Sequence, residues 1–389
     1  MDITVESLDK LLINFVNIYG GMKQHDASWY SVMGTTVGGS EIAALMGRNP
    51  YSSFIDVVTN KIVTLTGGNS WTGGSEACWW GTLFEDVIGG YVSVDLGATI
   101  RGDDICIQEI VGHRNSPDGY MVARVYYDDD NKLNIWTTDM SIEIPTVLRI
   151  LMLEFKCPMS RKPLGIVPKQ YTPQVWSGLA VSPVAHLGLY VDAVFRKCSL
   201  LHLGDNPNYD VAYHRYDRGA WENPVAWGLI GIYVPVLDAT SEPDTLFASQ
   251  LFAKTQKIVD LGNIDYKLFN RVLGIIDKKK FLVRRADACF ADGRGKVTNI
   301  DDFRKNVPDK YWFFGVLPWK LFEVNYIPVE RRPGFMEEIL PLIDNVHRTV
   351  SDALKNPLRS TFDATDCSKH LITSHKHTSV EIQDLFDNI

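Results

Sequence analysis

The sequence lacks the features that mark several common protein classes. Its 389 residues carry a net charge of −8, so nucleic-acid binding would depend on a local groove or on metal ions. The six cysteines include no C-x-x-C pair, which argues against a zinc site or an iron–sulfur cluster and favours free thiols. No apolar run reaches the roughly 20 residues of a membrane span, and the N-terminus has no signal-peptide pattern. We therefore expect a soluble, intracellular protein without a membrane partner.

What is present is the composition of an ordinary globular protein, with 45% hydrophobic and 22% charged residues. The chain is long enough for one large domain or two. Apolar periodicity predicts both helices and strands. The predicted helices are 6–19, 40–46, 52–61, 79–88, 168–181, 245–285 and 334–355. The predicted strands are 104–111, 120–127, 134–138, 151–158, 185–195 and 312–330.

One predicted strand carries two charged side chains. Residues Leu151 to Pro158 are apolar except for Glu154 and Lys156, and Pro158 ends the hydrogen-bonding ladder. Because side chains alternate between the two faces of a strand, these charged groups point the same way. They form either a salt bridge at a strand end, or a metal-binding carboxylate with a lysine beside the bond to be cleaved.

Other features are ordinary when each is taken singly. Glu85 lies about 200° around a predicted helix from Leu83, so it faces either solvent or a cleft. Asp118 belongs to a Pro-Asp-Gly turn signature. Ser40 is predicted to cap a helix behind two glycines, which gives either a plain helix start or a phosphate site. The basic run at 278–285 is either a solvated face or a nucleic-acid contact.

Five sequence blocks place these features in a recognisable order. The blocks are Gly38-Gly39-Ser40-Glu41, Gly81-Thr82-Leu83-Phe84-Glu85, Ser116-Pro117-Asp118-Gly119, Leu153-Glu154-Phe155-Lys156-Cys157-Pro158 with Ser160-Arg161, and Tyr171-Thr172-Pro173-Gln174-Val175. They span residues 34–195 and resemble the lambda-type exonuclease family, also called the YqaJ-like viral recombinase family, of the PD-(D/E)-x-K nuclease superfamily. A looser match resumes at 312–355.

The resemblance implies an α/β fold with a restriction-endonuclease-like core, in which helices flank a mixed central β-sheet and the active site lies at one end of the sheet. It implies that residues 1–198 form the first part of the nuclease core and that residues 312–356 complete it. Residues 199–311 are then a large insertion of unknown role. The polar tail 357–389 is predicted to be disordered.

The resemblance also implies a metal site for phosphodiester hydrolysis. Asp118, Glu154 and the backbone carbonyl of Phe155 would hold one Mg²⁺ or Mn²⁺ ion, and Glu85 would serve a second ion or its water shell. Oxygen ligands are those that Mg²⁺ prefers. Two such cations roughly 4 Å apart activate water and stabilise the leaving oxygen.

Two further catalytic roles follow from the same resemblance. Lys156 would orient or deprotonate the attacking water, and Gln174 would steady Lys156 or the water. The gap between Asp118 and Glu154 is longer than in compact family members. We place the additional residues in a hairpin at 128–148, away from the metal ions.

A terminal 5′-phosphate would bind at Ser40 and its helix N-terminus, by resemblance to the family. The family usually carries an arginine seven residues before this serine, and Met33 occupies that position here. Arg48, Lys23 or the 199–311 insertion would then have to supply the positive charge.

The resemblance therefore predicts a Mg²⁺- or Mn²⁺-dependent DNA exonuclease, acting 5′→3′ on duplex ends to make single strands for recombination, repair or end processing. Family members form rings around DNA and work with a single-strand annealing protein, so both are expected here. The size of the chain favours a large DNA virus of eukaryotes, and hence a location in the host cytoplasm or nucleus. The alternatives are an endonuclease or RNA-degrading nuclease of the same fold, and a catalytically silent DNA-binding scaffold.

Overall fold

The computed structural model describes residues 3–22, 27–67, 76–108, 110–141, 143–159, 162–198, 203, 223–235, 282–285, 288–295 and 300–355. Within these ranges the helices are α1 (Val5–Tyr19), α2 (Ala27–Val32), α3 (Ile42–Leu45), α4 (Phe54–Leu65), α5 (Glu76–Asp95), α6 (Thr172–Val181), α7 (Ile300–Lys305) and α8 (Phe335–Lys355). The strands are β1 (Val37–Gly38), β2 (His113–Arg114), β3 (Tyr120–Tyr127), β4 (Leu133–Ile135), β5 (Val147–Lys156), β6 (Leu187–Lys197), β7 (Ala226–Pro235), β8 (Leu282–Arg285), β9 (Cys289–Phe290) and β10 (Tyr311–Val329).

Eight of these strands form one mixed sheet in the order β4-β3-β5-β6-β10-β7-β8, with β9 paired to β7. Strands β5 and β6 are parallel, and the other neighbouring pairs are antiparallel. The short parallel pair β1–β2 lies outside this sheet. The predicted α/β fold, with helices flanking a mixed central sheet, is confirmed.

Helices cover both faces of the sheet. Helix α5 packs on one face, where its Phe84 ring stacks on Phe195 of β6 at 4.3 Å. Helices α1 and α6 pack on the other face, and Phe15 of α1 lies 5.4 Å from the ring of Tyr120. Strand β5 contributes Leu151 and its alternate neighbours to the α5 face, as the period of two in a strand requires.

Several predicted elements are confirmed, and two of the helices have a side-chain cap at their start. Thr4 accepts a hydrogen bond from the Ser7 N–H at the start of α1, and Ser53 does the same for Asp56 at the start of α4. The predicted strands at 120–127, 151–158, 185–195 and 312–330 all form, with small shifts in their ends. In the described part of the chain, no helix is long and apolar enough to cross a membrane.

The segment 199–311 is joined to the central sheet through its described residues. Strand β7 pairs with β10 over its whole length, from Ala226 to Pro235. Strands β8 and β9 extend the sheet beyond β7. The domain boundaries at 198, 311 and 356 stay predictions, and residues 357–389 lie outside the described residues.

Three local predictions are wrong. The described residues of 104–111 do not form a strand: Asp104 lies in the turn that follows Gly102, whose φ is +66°, and Ile107 makes only an isolated bridge to Asn115. Residues 282–285 are a strand and not the end of a helix, since they pair with β7; residues 245–281 lie outside the described ranges. Ser40 is not a helix cap, because it lies inside a 3-10 turn at Gly39–Glu41.

Candidate active site

The site begins where β3 and β5 meet at one end of the sheet. The Asp118 N–H donates to the Leu153 carbonyl at 3.1 Å, and the Leu153 N–H donates to the Gly119 carbonyl at 2.8 Å. Asp118 then accepts the Phe155 N–H through its Oδ2 at 2.5 Å. The turn residue predicted from Pro-Asp-Gly is thereby fixed beside the strand that carries Glu154.

Glu154 and Lys156 lie on the face of β5 that is opposite to α5. Their side chains form an ion pair, with Nζ of Lys156 against Oε1 of Glu154. Glu154 is 2% exposed, whereas the Lys156 side chain is 24% exposed and so reaches the surface. The salt bridge that the strand pattern suggested is therefore present, with its carboxylate buried and its ammonium partly exposed.

Glu85 joins this pair from α5. Leu83, Val87 and Ile88 are buried against the sheet, as predicted, and Glu85 is half-buried beside them. Its carboxyl group hydrogen-bonds to the carboxylate of Asp118. Glu85 therefore faces the end of the sheet and not open solvent.

Burial dominates the electrostatics of this cluster. It raises the pKa of Glu85 to about 8, assisted by Asp118 and opposed by Lys156. It raises the pKa of Glu154 to about 7, again opposed by Lys156, and it raises the pKa of Asp118 above its ordinary value. Burial lowers the pKa of Lys156, but the carboxylates of Glu154 and Asp118 raise it by more, so that the ammonium stays charged.

The donor set suits a hard divalent cation. The buried carboxyl group of Glu154 and the half-buried carboxyl groups of Glu85 and Asp118 lie near the Lys156 ammonium, and the surplus negative charge is relieved by protons at neutral pH or by a cation. Among the described residues, no group of three or more histidine, cysteine, aspartate and glutamate side chains converges in a geometry ready for a metal ion. The ion pair between Glu154 and Lys156 turns that carboxylate toward the ammonium. The predicted ligand roles of Asp118, Glu154, Phe155 and Glu85 stay predictions.

Helix α6 supplies the wall of the site next to Lys156. Tyr171, the residue before this helix, places its ring 5.3 Å from Nζ of Lys156 and stacks on Tyr190 of β6. Gln174 lies in the first turn of α6 and is half-buried; its role toward Lys156 stays a prediction. The sequence places Tyr171 in a family block, but nothing local indicates that its ring contacts the lysine.

The turn that carries Ser40 lies near α6. Ser40 is exposed, and the cap of its turn is Gly38, whose N–H donates to Oε2 of Glu41 at 2.7 Å. The predicted cap at Gly47 is confirmed: its φ is 65°, and the exposed Arg48 donates its N–H to the Ala43 carbonyl at 2.8 Å. The helical stretch of 3-10 turn and α3 is only seven residues long.

Two buried cations lie at this turn, and neither was identified from the sequence. Nζ of Lys61 donates to the carbonyl of Met33 at 3.1 Å and to both carboxylate oxygens of Glu41. Arg114 lies 4.0 Å from the same carboxylate and donates to Thr36. Two positive charges therefore face one carboxylate where the family arginine is missing.

A buried polar cluster connects this turn to α6 and includes the segment that precedes Asp118. His113 bonds through Nδ1 to the Val37 carbonyl and through Nε2 to the hydroxyl of Ser177, both at 2.9 Å. Asn115 donates to the same hydroxyl at 3.5 Å and lies three residues before Asp118. Burial lowers the pKa of His113 from 6.5 to about 4, so the imidazole is neutral at physiological pH.

Residues 28–185 match the family model of the YqaJ-like viral recombinase domain. The predicted resemblance to this family is confirmed. Glu85, Asp118, Glu154, Lys156 and Gln174 all lie within the YqaJ-like segment.

Similarity over nearly the whole chain is found with viral proteins. A protein of African swine fever virus (strain Badajoz 1971 Vero-adapted) is 29% identical over 353 residues, which cover 89% of this chain and 92% of that protein. Its counterpart in the isolate Tick/Malawi/Lil 20-1/1983 is 28% identical over 358 residues, covering 90% and 93%. Because so little of the chain is left unmatched, the match extends into the segment 199–311. These relatives agree with the expected viral source.

Among solved structures, the alkaline exonuclease LHK-Exo of Laribacter hongkongensis superposes with a TM-score of 0.30 and 18% identity, covering 43% of this chain and 74% of that one. The same protein in complex with dAMP gives 0.29 and 17%, covering 43% and 73%.

Proposed function

We propose that the chain is a Mg²⁺- or Mn²⁺-dependent nuclease that degrades duplex DNA from its ends in the 5′→3′ direction. The observation that carries the proposal is the meeting of Glu85, Asp118, Glu154 and Lys156 at one end of the sheet, from three separate elements. The match to the YqaJ-like viral recombinase domain supports the same reading. Repair, recombination, a ring assembly and an annealing partner stay predictions of the family resemblance.

The chemistry is the hydrolysis of a phosphodiester: water forms a bond to phosphorus, the bond to the leaving oxygen breaks, and that oxygen gains a proton. Asp118, Glu154 and the Phe155 carbonyl, with Glu85, would hold the cations. These ions would supply Lewis acidity at the phosphate and a water of lowered pKa.

The chain's own residues supply charge and orientation. The Lys156 ammonium, held by Glu154 and by the ring of Tyr171, reaches the surface of the site and can hold a phosphate oxygen or the attacking water. Its raised pKa favours this orienting role over that of a base, because a charged ammonium has no proton acceptor. The half-buried Asp118 is held in place because its carboxylate accepts a hydrogen bond from the Phe155 N–H.

A direct test incubates linear duplex DNA with Mg²⁺, with and without a chelator. The expected result is end-dependent degradation that the chelator abolishes. Lys156→Ala is expected to lose turnover by at least about a hundredfold while DNA binding survives. Lys305→Ala, an exposed lysine on α7, is the matched control and is expected to behave as the wild type.

Each alternative function gives a different result in this assay. Absence of degradation at every metal concentration means a silent scaffold, and equal cutting of closed circles means an endonuclease. Faster degradation of RNA than of DNA means an RNA nuclease. Loss of folding in Lys156→Ala would mean that this lysine is structural.

A terminal 5′-phosphate is expected to increase the rate, because Lys61 and Arg114 outnumber Glu41 at the Ser40 turn. The measurement compares ends that carry a 5′-phosphate with ends that carry a 5′-hydroxyl. Ser40→Ala, at an exposed position, should reduce the preference, and Arg48→Ala tests whether that exposed arginine contributes charge. Equal rates on both ends would contradict a phosphate site at this turn.

A further inference from the structure

The end of strand β8 contacts α5, the helix that carries Glu85. Its last residue, Arg285, donates through Nε to the Leu83 carbonyl and through one Nη to the Thr82 carbonyl, each at 3.3 Å. The other Nη of Arg285 pairs with the carboxylate of Asp86. The three acceptors belong to the turn of α5 that contains Glu85, and Arg285 and Asp86 are 199 residues apart in the chain.

The neighbouring arginine points elsewhere. Arg284 donates to the Asn306 carbonyl at 3.0 Å and lies over the ring of Tyr233, 5.6 Å from its centroid. Successive side chains of a strand point to opposite faces, so only one of the two arginines reaches α5. The contact is therefore specific to the register in which Arg285 pairs with Ile230.

The same segment contacts α5 twice more. Phe290 of β9 stacks on Tyr91 at 5.4 Å, and Arg294 donates to the Val94 carbonyl at 3.5 Å. The described residues of 282–295 therefore follow α5 from the turn of Glu85 toward its C-terminal end. This gives the segment 199–311 a physical connection to the acidic cluster.

We propose that Arg285 is a positioning residue of the active site, through which the segment 199–311 fixes the turn of α5 that presents Glu85. The inference rests on the proposed nuclease function. A guanidinium has a planar set of donors that can serve two carbonyls and a carboxylate together, which an ammonium cannot do in the same geometry. Its charge also lies close enough to Glu85 to offset part of the repulsion among the carboxylates.

Arg285→Gln is the test, and Arg284→Gln is its control, since both remove one positive charge from the same short strand. Arg285→Gln is expected to lower kcat on linear duplex DNA by about tenfold or more with KM nearly unchanged, because small displacements of a catalytic group are costly. Arg284→Gln should leave kcat unchanged. Arg285→Lys, which keeps the charge but not the planar fork, should stay impaired.

Hydrogen exchange of the backbone amides at 82–88 gives a readout that does not need activity. These amides are expected to exchange faster in Arg285→Gln than in Arg284→Gln at equal melting temperature. If the wild type degrades no DNA, the proposed function fails, and the exchange experiment still decides whether Arg285 holds this turn. The proposal would be overturned if Arg285→Gln and Arg284→Gln showed equal amide exchange or equal kcat. Full activity in Arg285→Lys would also overturn it.

Discussion

The stability that the buried, neutral imidazole of His113 contributes should be lost as the pH drops below about 6.5. Its pKa is lowered to about 4 in the folded chain by burial, and Arg114 lowers it further, against the opposing effects of the Val37 carbonyl and Glu41. In the unfolded chain the group titrates near 6.5. Between these values the unfolded state binds one proton more than the native state, so the free energy of unfolding rises with pH.

The magnitude follows from the two pKa values. The full difference of about 2.5 pKa units corresponds to about 3 kcal/mol, and the part lost between pH 7 and pH 5 is about 2 kcal/mol. Below about pH 4 the effect levels off, because both states are then protonated. His113 is 1% exposed, so solvent does not screen the effect appreciably.

The assay is urea unfolding of the wild type and of His113→Gln at pH 7, 6 and 5. Glu85 and Glu154 have raised pKa values, so their contribution to the stability increases as the pH falls, opposite to that of His113. Because this contribution is present in both proteins, the difference in stability between them isolates the effect of His113. The wild type is expected to lose about 2 kcal/mol relative to the variant between pH 7 and pH 5. A difference that stays constant with pH would refute the reasoning.

Two further predictions concern packing. A Cβ at Gly39 would lie 2.1 Å from Nδ2 of Asn115, so Gly39→Ala should cost about 1–3 kcal/mol of unfolding free energy. A Cβ at Gly81 would meet no neighbouring atom within 4 Å, so Gly81→Ala should raise the unfolding free energy by about 0.5–1 kcal/mol. Chemical denaturation of both variants checks the pair, and equal effects would contradict the close approach. Tyr171→Phe keeps the ring beside Lys156 and should retain turnover within about threefold, but Tyr171→Leu should lose about tenfold. Equal turnover in the two variants would mean that the ring does not hold the lysine.

Elements with a clear period were predictable from the sequence because one face of each is buried in a continuous core. Strand β5 alternates between the two faces of the sheet, and its two charged residues were therefore assigned to one face correctly. Helix α8 buries Ile339, Ile343 and Val346, as its spacing predicts, although Met336 and Leu340 are only half-buried. Burial of a periodic face is a local property, and local sequence is enough to specify it.

The cap at the Ser40 turn shows a local prediction that failed for a local reason. Ser40 has the side chain of a good cap, but Glu41 follows Gly38 by three residues and its carboxylate accepts the Gly38 N–H. The turn therefore starts two residues earlier than the serine suggested. An acidic residue three positions after a candidate cap is a signal that the sequence does contain.

Contacts between distant segments were not predictable from residue spacing. Arg285 belongs to a run of basic residues whose sequence is compatible either with a solvent-exposed face or with nucleic-acid binding. Its partners on α5 are identified only once β8 is placed in the sheet. The buried Lys61 likewise follows no local pattern, because its carboxylate partner Glu41 lies on a different element. Both contacts result from the order of the elements in space.

The long gap between Asp118 and Glu154 does not disturb the site, and the register of β3 and β5 explains why. The pair begins at Tyr120 opposite Met152 and ends at Val125 opposite Val147, so the added residues lie beyond the far end of the ladder from Asp118. A slip of one residue in this register would move Glu154 and Lys156 to the α5 face and separate Lys156 from the ring of Tyr171. The backbone bonds of Asp118 and Gly119 to Leu153 oppose such a slip at the site itself. The geometry of the acidic cluster therefore depends on the pairing near Asp118 and not on the length of the chain between the two carboxylates.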